Sequence, residues 1–182
     1  MLGLLGAFGL AAATGLNAYL PLLIVGLLAR TTNLIALKAP WSALTHPVVL
    51  IVIGVLLLIE FTVDKIPAVD TVNDVIQTVF RPAAGAVLFA ASGNVISNVS
   101  PVLAMVCGLL IAGGVHAAKA VARPAVTAGT LGMGNPVVSL AEDAVSGVTT
   151  VVAIVAPVLL GLLLLLAVWL FIRRYERKHS RA

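Results

Sequence analysis

Charged residues in the middle of the chain form short clusters whose spacing would bring them together on helices. Glu60 and Asp64 are four residues apart, so a helix through both places the two carboxylates on one face. Lys65 follows and can neutralise one of them, and Asp70 and Asp74 repeat the four-residue spacing. Neighbouring carboxylates are typical ligands of hard cations such as Mg²⁺, Ca²⁺ and Mn²⁺. These residues are therefore candidates for a cation or proton site.

The second half of the chain carries the matching basic residues. His116, Lys119 and Arg123 lie at positions i, i+3 and i+7, which gives one basic helix face, and Glu142 and Asp143 follow in a later segment. We expect the acidic and basic clusters to face each other. This arrangement has two interpretations: a cation or proton site formed by the acids, or a set of salt bridges that holds the helices together.

Glu60 and His116 are the strongest candidates within these clusters. Glu60 follows thirteen residues, counted from Pro47, that contain no polar side chain. A charge beside such an apolar run is costly unless it is paired, and it is often functional. A histidine titrates near neutral pH and can relay protons, and it also serves simply as a hydrogen-bonding group. We predict that Glu60, together with Asp64 and His116, lines a functional cavity.

Other polar residues interrupt apolar runs. Asn17, Asn94 and Asn135 are predicted helix breaks, which either present backbone and amide groups to a cavity or hydrogen-bond neighbouring helices. Arg81 and Arg123 are candidate contacts for an anion or a phosphate group.

No familiar enzyme motif accompanies these residues. The chain has no Gly-x-Ser-x-Gly sequence, no Walker loop and no His-Glu-x-x-His, and the glycines at 132 and 134 are too few for a phosphate loop. We therefore expect neither enzymatic activity nor a cofactor. The spacing typical of His-x-x-x-His, Cys-x-x-Cys or EF-hand sites is missing as well, so the identity of any metal stays open.

The composition places these clusters in a membrane protein. Of 182 residues, 61% are hydrophobic and 10% are charged, and the mean hydropathy is +1.16, whereas soluble domains carry about 25% charged residues. This excludes a soluble enzyme, a disordered chain and a nucleic-acid-binding protein. The single cysteine, Cys107, excludes an intrachain disulfide and a thiolate metal cluster.

Hydrophobic runs predict an all-α integral membrane fold with about five transmembrane helices and two short interfacial or re-entrant helices. The spans are expected at residues 2–29, 47–61, 82–97, 101–119 and 148–172, and the short helices at 67–80 and 136–147. The first run should be bent or interrupted between Asn17 and Pro21. It is predicted to be a retained helix, because no basic residue precedes Arg30, as a signal peptide would require.

The C-terminal charges predict the orientation. Five of the eleven basic residues fall in the last ten positions, which favours a cytoplasmic C-terminus in a bacterial plasma membrane. An odd number of spans then places the N-terminus outside, the 30–38 loop inside, and the charged clusters on the external side.

Self-comparison suggests an internal duplication. The segment from Pro47 to Lys65 recurs at an offset of 54 residues from Pro101 to Lys119, with Gly54 matching Gly108. We expect one membrane domain, 1–182, composed of repeat one at 6–80, repeat two at 82–147 and an additional helix at 148–175. The repeats are parallel or inverted according to how many segments cross, and both arrangements occur in transporters.

Four motifs resemble those of domain-of-unknown-function family 4126, and they cover nearly the whole chain. The motifs are Thr14-Gly15-Leu16-Asn17-Ala18-Tyr19-Leu20-Pro21, Asp64-Lys65-x-Pro67-x-x-Asp70-x-x-x-Asp74, His116-Ala-Ala-Lys119 and Asn135-Pro136-x-x-Ser139-Leu-Ala-Glu142-Asp143. The resemblance implies a small bacterial membrane protein and carries no established activity. The run Glu60-Phe-Thr-Val-Asp64-Lys65-Ile-Pro67 also resembles the Glu-x-Gly-Asp-Lys/Arg-Ser/Thr signature of small cation exchangers, with one extra residue between the acids.

Three functions fit the sequence. The first is a small transporter or permeation pathway with a cation- or proton-coupled site at the repeat interface. The second is a non-catalytic accessory or scaffold subunit of a larger membrane complex. The third is lipid or polyprenyl-phosphate handling, in which Lys65, Arg81, Lys119 and Arg123 would contact phosphate. The expected partners are membrane lipids, a small cation, proton or solute, and a membrane complex or second copy of the chain, with no nucleic acid.

Overall fold

The chain folds into helices that pack side by side. The computed structural model describes residues 3–63, 67–92 and 100–157, and residues 159, 161–163, 165–166, 168–170 and 173 beyond them; side chains are described for these except 67–72. The helices are α1 (Leu4–Leu16), α2 (Tyr19–Thr31), a short 3-10 helix (Trp41–Thr45), α3 (Pro47–Val63), α4 (Pro67–Ala91), α5 (Pro101–Thr130) and α6 (Asn135–Val155). No strand occurs among the described residues.

α1 runs antiparallel to α6. The amide of Asn17, at the end of α1, donates to Asp143 near the start of α6. At the other end of α1, the side chain of Leu5 lies against Gly161, beyond the end of α6. The whole length of α1 is therefore aligned with α6.

α2 doubles back beside α1 instead of continuing it. Leu20 lies against Gly147, and further along α2 Val25 shares a buried cluster with Leu10 and Ala153. Successive residues of α2 thus contact later residues of α6, whereas successive residues of α1 contact earlier ones. The two 13-residue helices form a hairpin, which we call the N-terminal hairpin, and its tip is at Asn17 and Ala18.

The predicted interruption between Asn17 and Pro21 is confirmed, since α1 ends at Leu16 and α2 begins at Tyr19. The prediction that residues 2–29 form one bent crossing is wrong, because the chain turns back at the interruption. Each arm of 13 residues is about 20 Å long, which is shorter than the hydrocarbon core of a bilayer.

α4 and α5 form a long antiparallel pair in which the backbones approach closely. A Cβ atom at Gly108 would collide with the carbonyl group of Gly85 and with Phe89, and one at Gly85 would collide with Ala112. Gly15 on α1 is equally close to Ala112. Small residues thus let α1, α4 and α5 pack at short distance, as is common in membrane helices.

Two predicted helix boundaries differ from the structure. The predicted short helix at 67–80 and span at 82–97 are joined in α4, because Pro82 removes one backbone hydrogen bond without ending the helix. The short helix at 136–147 likewise continues into the next span as α6, and the helix ends instead at Val155, two residues before Pro157. The predicted repeat boundaries at 80–82 and 147–148 therefore fall inside continuous helices.

The expected equivalence of Gly54 and Gly108 is wrong. Gly108 is in close contact with α4, whereas a Cβ atom at Gly54 would meet nothing within 4 Å. α5 packs mainly against α4 and α1, while α3 packs mainly against α2. The helix packing does not confirm the duplication, which stays a prediction from the sequence.

The outer surface of the bundle is largely apolar. α5 and α6 are each long and apolar enough to cross a membrane, and only 22% of the residues in their most apolar windows are buried within the chain. Leucine, isoleucine or valine side chains are exposed on each of the helices α1 to α6. Contiguous apolar surface of this kind is typical of contact with lipid or with other membrane proteins.

Candidate functional site

A network of ion pairs lies in the interior, at the level of the hairpin tip, and Arg81 is at its centre. The Arg81 side chain is fully buried on α4. Its Nη2 donates to Glu60 Oε1 on α3 at 3.1 Å, and its Nη1 donates to Asp74 Oδ1 at 3.3 Å and to His116 Nδ1 on α5 at 3.0 Å. One guanidinium therefore connects three helices.

Asp74 and Glu142 link the rest of the network. Lys119 Nζ lies 2.9 Å from Glu142 Oε2 and 3.7 Å from Asp74 Oδ1. Arg123 donates through Nη1 to Asp74 Oδ2 at 3.2 Å and through Nη2 to Glu142 Oε2 at 3.1 Å. Each of these cations bridges α4 and α6. Together with Glu60 and Arg81, three carboxylates and three cations are joined in what we call the ion-pair network.

The sequence of α5 explains why its basic residues are inside. Its buried face repeats every three or four residues, and it changes from small apolar residues to basic ones along the helix. The buried positions are Ala104, Gly108, Ala112, His116, Lys119 and Arg123. The small residues bring α5 close to α4, so the basic residues that continue the same face are held within reach of the acids. The predicted basic face is confirmed, and it faces the acids as expected.

The contacts of His116 define its protonation. A guanidinium has no acceptor, so the 3.0 Å contact with Arg81 Nη1 requires an unprotonated Nδ1. The ring proton is then on Nε2, which donates to Thr78 Oγ1 at 3.0 Å, and this hydroxyl donates to the backbone carbonyl of Asp74. His116 is therefore neutral in this arrangement, and a second proton on Nδ1 requires the Arg81 side chain to move away.

Asn17 connects the N-terminal hairpin to the same region. Its Oδ1 accepts from the backbone N–H groups of Tyr19 and Leu20, so it caps the first turn of α2. Its Nδ2 donates to Asp143 Oδ1 at 2.9 Å, and Asp143 is adjacent to Glu142 of the ion-pair network. The fully buried Asn17 thus provides a hydrogen-bond acceptor for the backbone N–H groups at the break between α1 and α2, and it fixes the hairpin tip to α6.

A cavity of about 550 Å³ lies beside the network, between α4, α5 and the start of α6. Its polar lining comes from Asp74, Thr78, His116, Arg123, Thr127 and Asn135. The rest of the lining is aliphatic, namely Val75, Ala120, Pro124 and Ala128. This size and mixture of groups are typical of sites for small molecules.

The structure brings most of the candidate residues together. Glu60, Asp74, Arg81, His116, Lys119, Arg123 and Glu142 are joined directly, and Asp143 and Asn17 adjoin them. Asp64, Lys65 and Asn94 lie outside the described residues, as does the side chain of Asp70. Asn135 begins α6 and lines the cavity, so the break predicted there is confirmed.

Glu60 was expected to line a functional cavity, but the structure places it in the ion-pair network instead. Glu60 is 1% exposed and belongs to the network, but it does not line the cavity, which Asp74 and His116 border instead. The apolar run before Glu60 indicated its burial correctly. It did not indicate that Arg81 would lie between Glu60 and the cavity.

Gln77 was not identified from the sequence, although a signal was present. Its side chain is 2% exposed, and its Oε1 has no partner among the described residues. Asp74, Gln77 and Arg81 are spaced at three and four residues along α4, which places them on one face. That spacing could have identified Gln77.

The charges in the network determine what the site can do chemically. Within the ion-pair network, every carboxylate oxygen in an ion pair given above faces a guanidinium or ammonium group, and the described residues contain no group of three metal-ligating side chains. As arranged, these carboxylates neutralise cations of the chain itself. The neutral base that borders the cavity is His116, so the site can accept a proton there.

Comparison with known proteins identifies the family. No curated protein and no solved structure matches the chain. The model of a family described as a domain of unknown function, DUF4126, matches residues 4–177, which include all the helices above and the entire ion-pair network. The four motifs noted in the sequence contribute Asn17, Asp74, His116, Lys119, Asn135 and Glu142 to the site and its surroundings. The chain therefore belongs to the DUF4126 family.

Proposed function

We propose that this protein is a small membrane transporter with a proton- or cation-coupled site at the ion-pair network. The observation that carries the proposal is the position of the network: three buried cations and their carboxylates lie directly against a cavity that His116, Asp74 and Arg123 border. Charges within apolar surroundings are costly and commonly mark the paths of ions and protons.

The energetics of buried ion pairs support a functional use. Replacing a buried ion pair with apolar residues of similar volume is often neutral or stabilising, so stability alone is a weak reason for such pairs. The N-terminal hairpin adds support, because interrupted helices whose polar tips meet a buried site are common in transporters. Asn17 places such a tip beside Asp143.

The helix arrangement supports a multi-pass protein in which four segments cross. In this proposal α3, α4, α5 and α6 with its continuation cross the bacterial plasma membrane, and the hairpin enters and leaves on one side. The end of α2 with Arg30, the N-terminal end of α1 and the C-terminal tail then share that side. The basic C-terminal residues make it cytoplasmic. This revises the external N-terminus expected from five crossings.

We expect reporter fusions to place both ends of the chain in the cytoplasm. A fluorescent protein that folds only in the cytoplasm should fluoresce at either end, and an alkaline phosphatase that is active only outside should be inactive at both. The 131–134 turn, between α5 and α6, should give the opposite pattern in a truncation fusion. Phosphatase activity at the N-terminus would contradict the re-entrant hairpin.

Transport is tested with purified protein in liposomes that contain a pH-sensitive dye. We expect a gradient of sodium, potassium, calcium or lactate to move protons faster than in protein-free liposomes. Glu60→Gln retains an acceptor for Arg81 but removes a charge from the network, and we expect it to fold and to reduce the proton flux at least tenfold. Thr62→Val is the matched control, since Thr62 is exposed on α3 and bonds only its own backbone.

The second candidate, an accessory subunit of a larger complex, is favoured by one specific observation. Carboxylates of a scaffold should be paired and capped, and Asp74, Glu60 and Glu142 are all paired. This candidate predicts no flux under any of the four gradients, and a Glu60→Gln variant that is less stable with no other phenotype. That result would overturn the transport proposal. Lipid-phosphate handling has less support, because Arg81 is enclosed by its partners and, of the candidate phosphate contacts that the structure describes, only Arg123 borders the cavity.

A further inference from the structure

The cavity contains a hydrogen-bond donor that the described interactions do not use. Asn135 is 5% exposed and lines the cavity. Its Oδ1 accepts from Thr127 Oγ1 at 3.1 Å, and no acceptor in the described part of the chain bonds its Nδ2. Because Asn135 borders the cavity, its Nδ2 is available to donate a hydrogen bond to whatever occupies the cavity.

The remaining lining favours a solute with one acceptor end and a short apolar body. Arg123 lines the same cavity as Asn135, and its guanidinium, which also pairs with Asp74 and Glu142, contributes a cation to it. The aliphatic part of the lining is formed by Val75, Ala120, Pro124 and Ala128. A carboxylate suits the amide and guanidinium donors, and a few methylene groups suit the aliphatic part.

The charge balance of the network requires a proton to enter with such an anion. The three cations and three carboxylates of the network neutralise one another, so one more negative charge nearby would be uncompensated. His116 borders the same cavity, and its neutral ring can accept a proton at Nδ1 when Arg81 moves toward Glu60 and Asp74. The charged groups around His116 are Glu60 on α3, Asp74 and Arg81 on α4, Lys119 and Arg123 on α5, and Glu142 and Asp143 on α6.

We propose that the cavity binds a short-chain monocarboxylate, held by Asn135 and Arg123, together with a proton that His116 accepts. The inference rests on the proposed transport function and names its substrate class and its coupling ion. A metal cation fits less well, because it would have to displace Arg81, Lys119 and Arg123 from the carboxylates. Binding is also the more direct test, since a protonated short-chain acid crosses a bilayer without a carrier.

The test uses three probes with the same carbon chain, namely butyrate, butyramide and butylammonium, titrated calorimetrically into the full-length protein in detergent at pH 7. We expect butyrate to bind at least tenfold more tightly than the neutral amide and the cation. Asn135→Ala should weaken butyrate about tenfold, because it removes a hydrogen bond to a charged group. Asn33→Ala is the matched control, since Asn33 is exposed in the loop after α2.

Proton uptake is measured on the same protein by repeating the butyrate titration in buffers of different ionisation enthalpy. We expect about one proton to be taken up per butyrate bound by the unaltered protein, a measurement that needs no variant. His116→Gln keeps an acceptor for Arg81 but cannot accept the proton, and it should reduce uptake to nearly zero. His46→Gln, at an exposed histidine before α3, should leave uptake unchanged.

Each outcome decides the inference. Equal binding of the three probes, or butyrate binding without proton uptake, would overturn it. If butyrate does not bind while a sodium, potassium or calcium gradient still drives protons in liposomes, the inference fails and the transport proposal stands. Butyrate binding with proton uptake, but without flux under any gradient, would support the site and contradict transport.

Discussion

Arg81→Met is expected to destabilise the folded protein by about 3–5 kcal/mol, because it removes the buried cation of the Glu60–Arg81 ion pair. Glu60 would lose this 3.1 Å ion pair while 1% exposed, and His116 would lose the donor to its Nδ1. In a chain of this length the loss corresponds to a decrease in unfolding temperature on the order of 10 °C. Thermal unfolding in detergent, followed by circular dichroism, measures it.

The double variant Glu60→Leu with Arg81→Met separates loss of charge balance from loss of packing. It removes the carboxylate and the cation together, and Asp74 keeps Lys119 and Arg123, so we expect much of the stability to return. Arg30→Gln is the control, since Arg30 is exposed and its Nη1 bonds only the carbonyl of Thr45. A single Arg81→Met variant as stable as the unaltered protein would show that the network is not arranged as described.

Gly108→Ala is expected to destabilise the protein by about 1–3 kcal/mol, because the added methyl group meets the backbone of Gly85 and forces α4 and α5 apart. Gly54→Ala is the matched substitution in α3, where the methyl group meets nothing within 4 Å. It should be neutral or stabilising by up to about 1 kcal/mol, since alanine is the better helix former.

The same pair also tests the duplication. If residues 47–65 and 101–119 occupied equivalent positions, both alanines would cause similar losses in thermal stability. Unequal losses are expected from the packing described above, and equal losses would contradict that packing. The offset of 54 residues shows only that residue types recur in the sequence. The loss of stability caused by each alanine instead depends on the neighbours that surround each glycine.

The site was more predictable than the fold around it. The spacing of His116, Lys119 and Arg123 was sufficient to place them on one face, because a helix has a fixed periodicity. The partners of each charge were not predictable, since they depend on which helices adjoin. Arg81 illustrates this: its position along the chain suggested an anion contact, and its three neighbours come from α3, α4 and α5.

The helix boundaries were least predictable where proline occurs. Pro82 and Pro157 have the same local effect on the backbone, but α4 continues through Pro82 and α6 ends before Pro157. Tertiary packing decides between these outcomes, because α4 is held along its length by α5 and α1. The reversal of the chain at Asn17 was hidden for a similar reason, since a bend and a hairpin have the same local sequence.

The N-terminal hairpin also constrains the order in which the protein is made and assembled. Its arms leave the ribosome before α6 does, but Asn17 bonds Asp143, which is 126 residues further along the chain. α4, α5 and α6, against which α1 packs, are all synthesised later. Until those helices have been made, the amide of Asn17 lacks its partner Asp143, and α1 lacks the helices against which it packs. Each arm of the hairpin is also too short to cross a bilayer alone. The hairpin can reach its final position only after α6 has been made, so it is fixed in place later than helices that are synthesised after it.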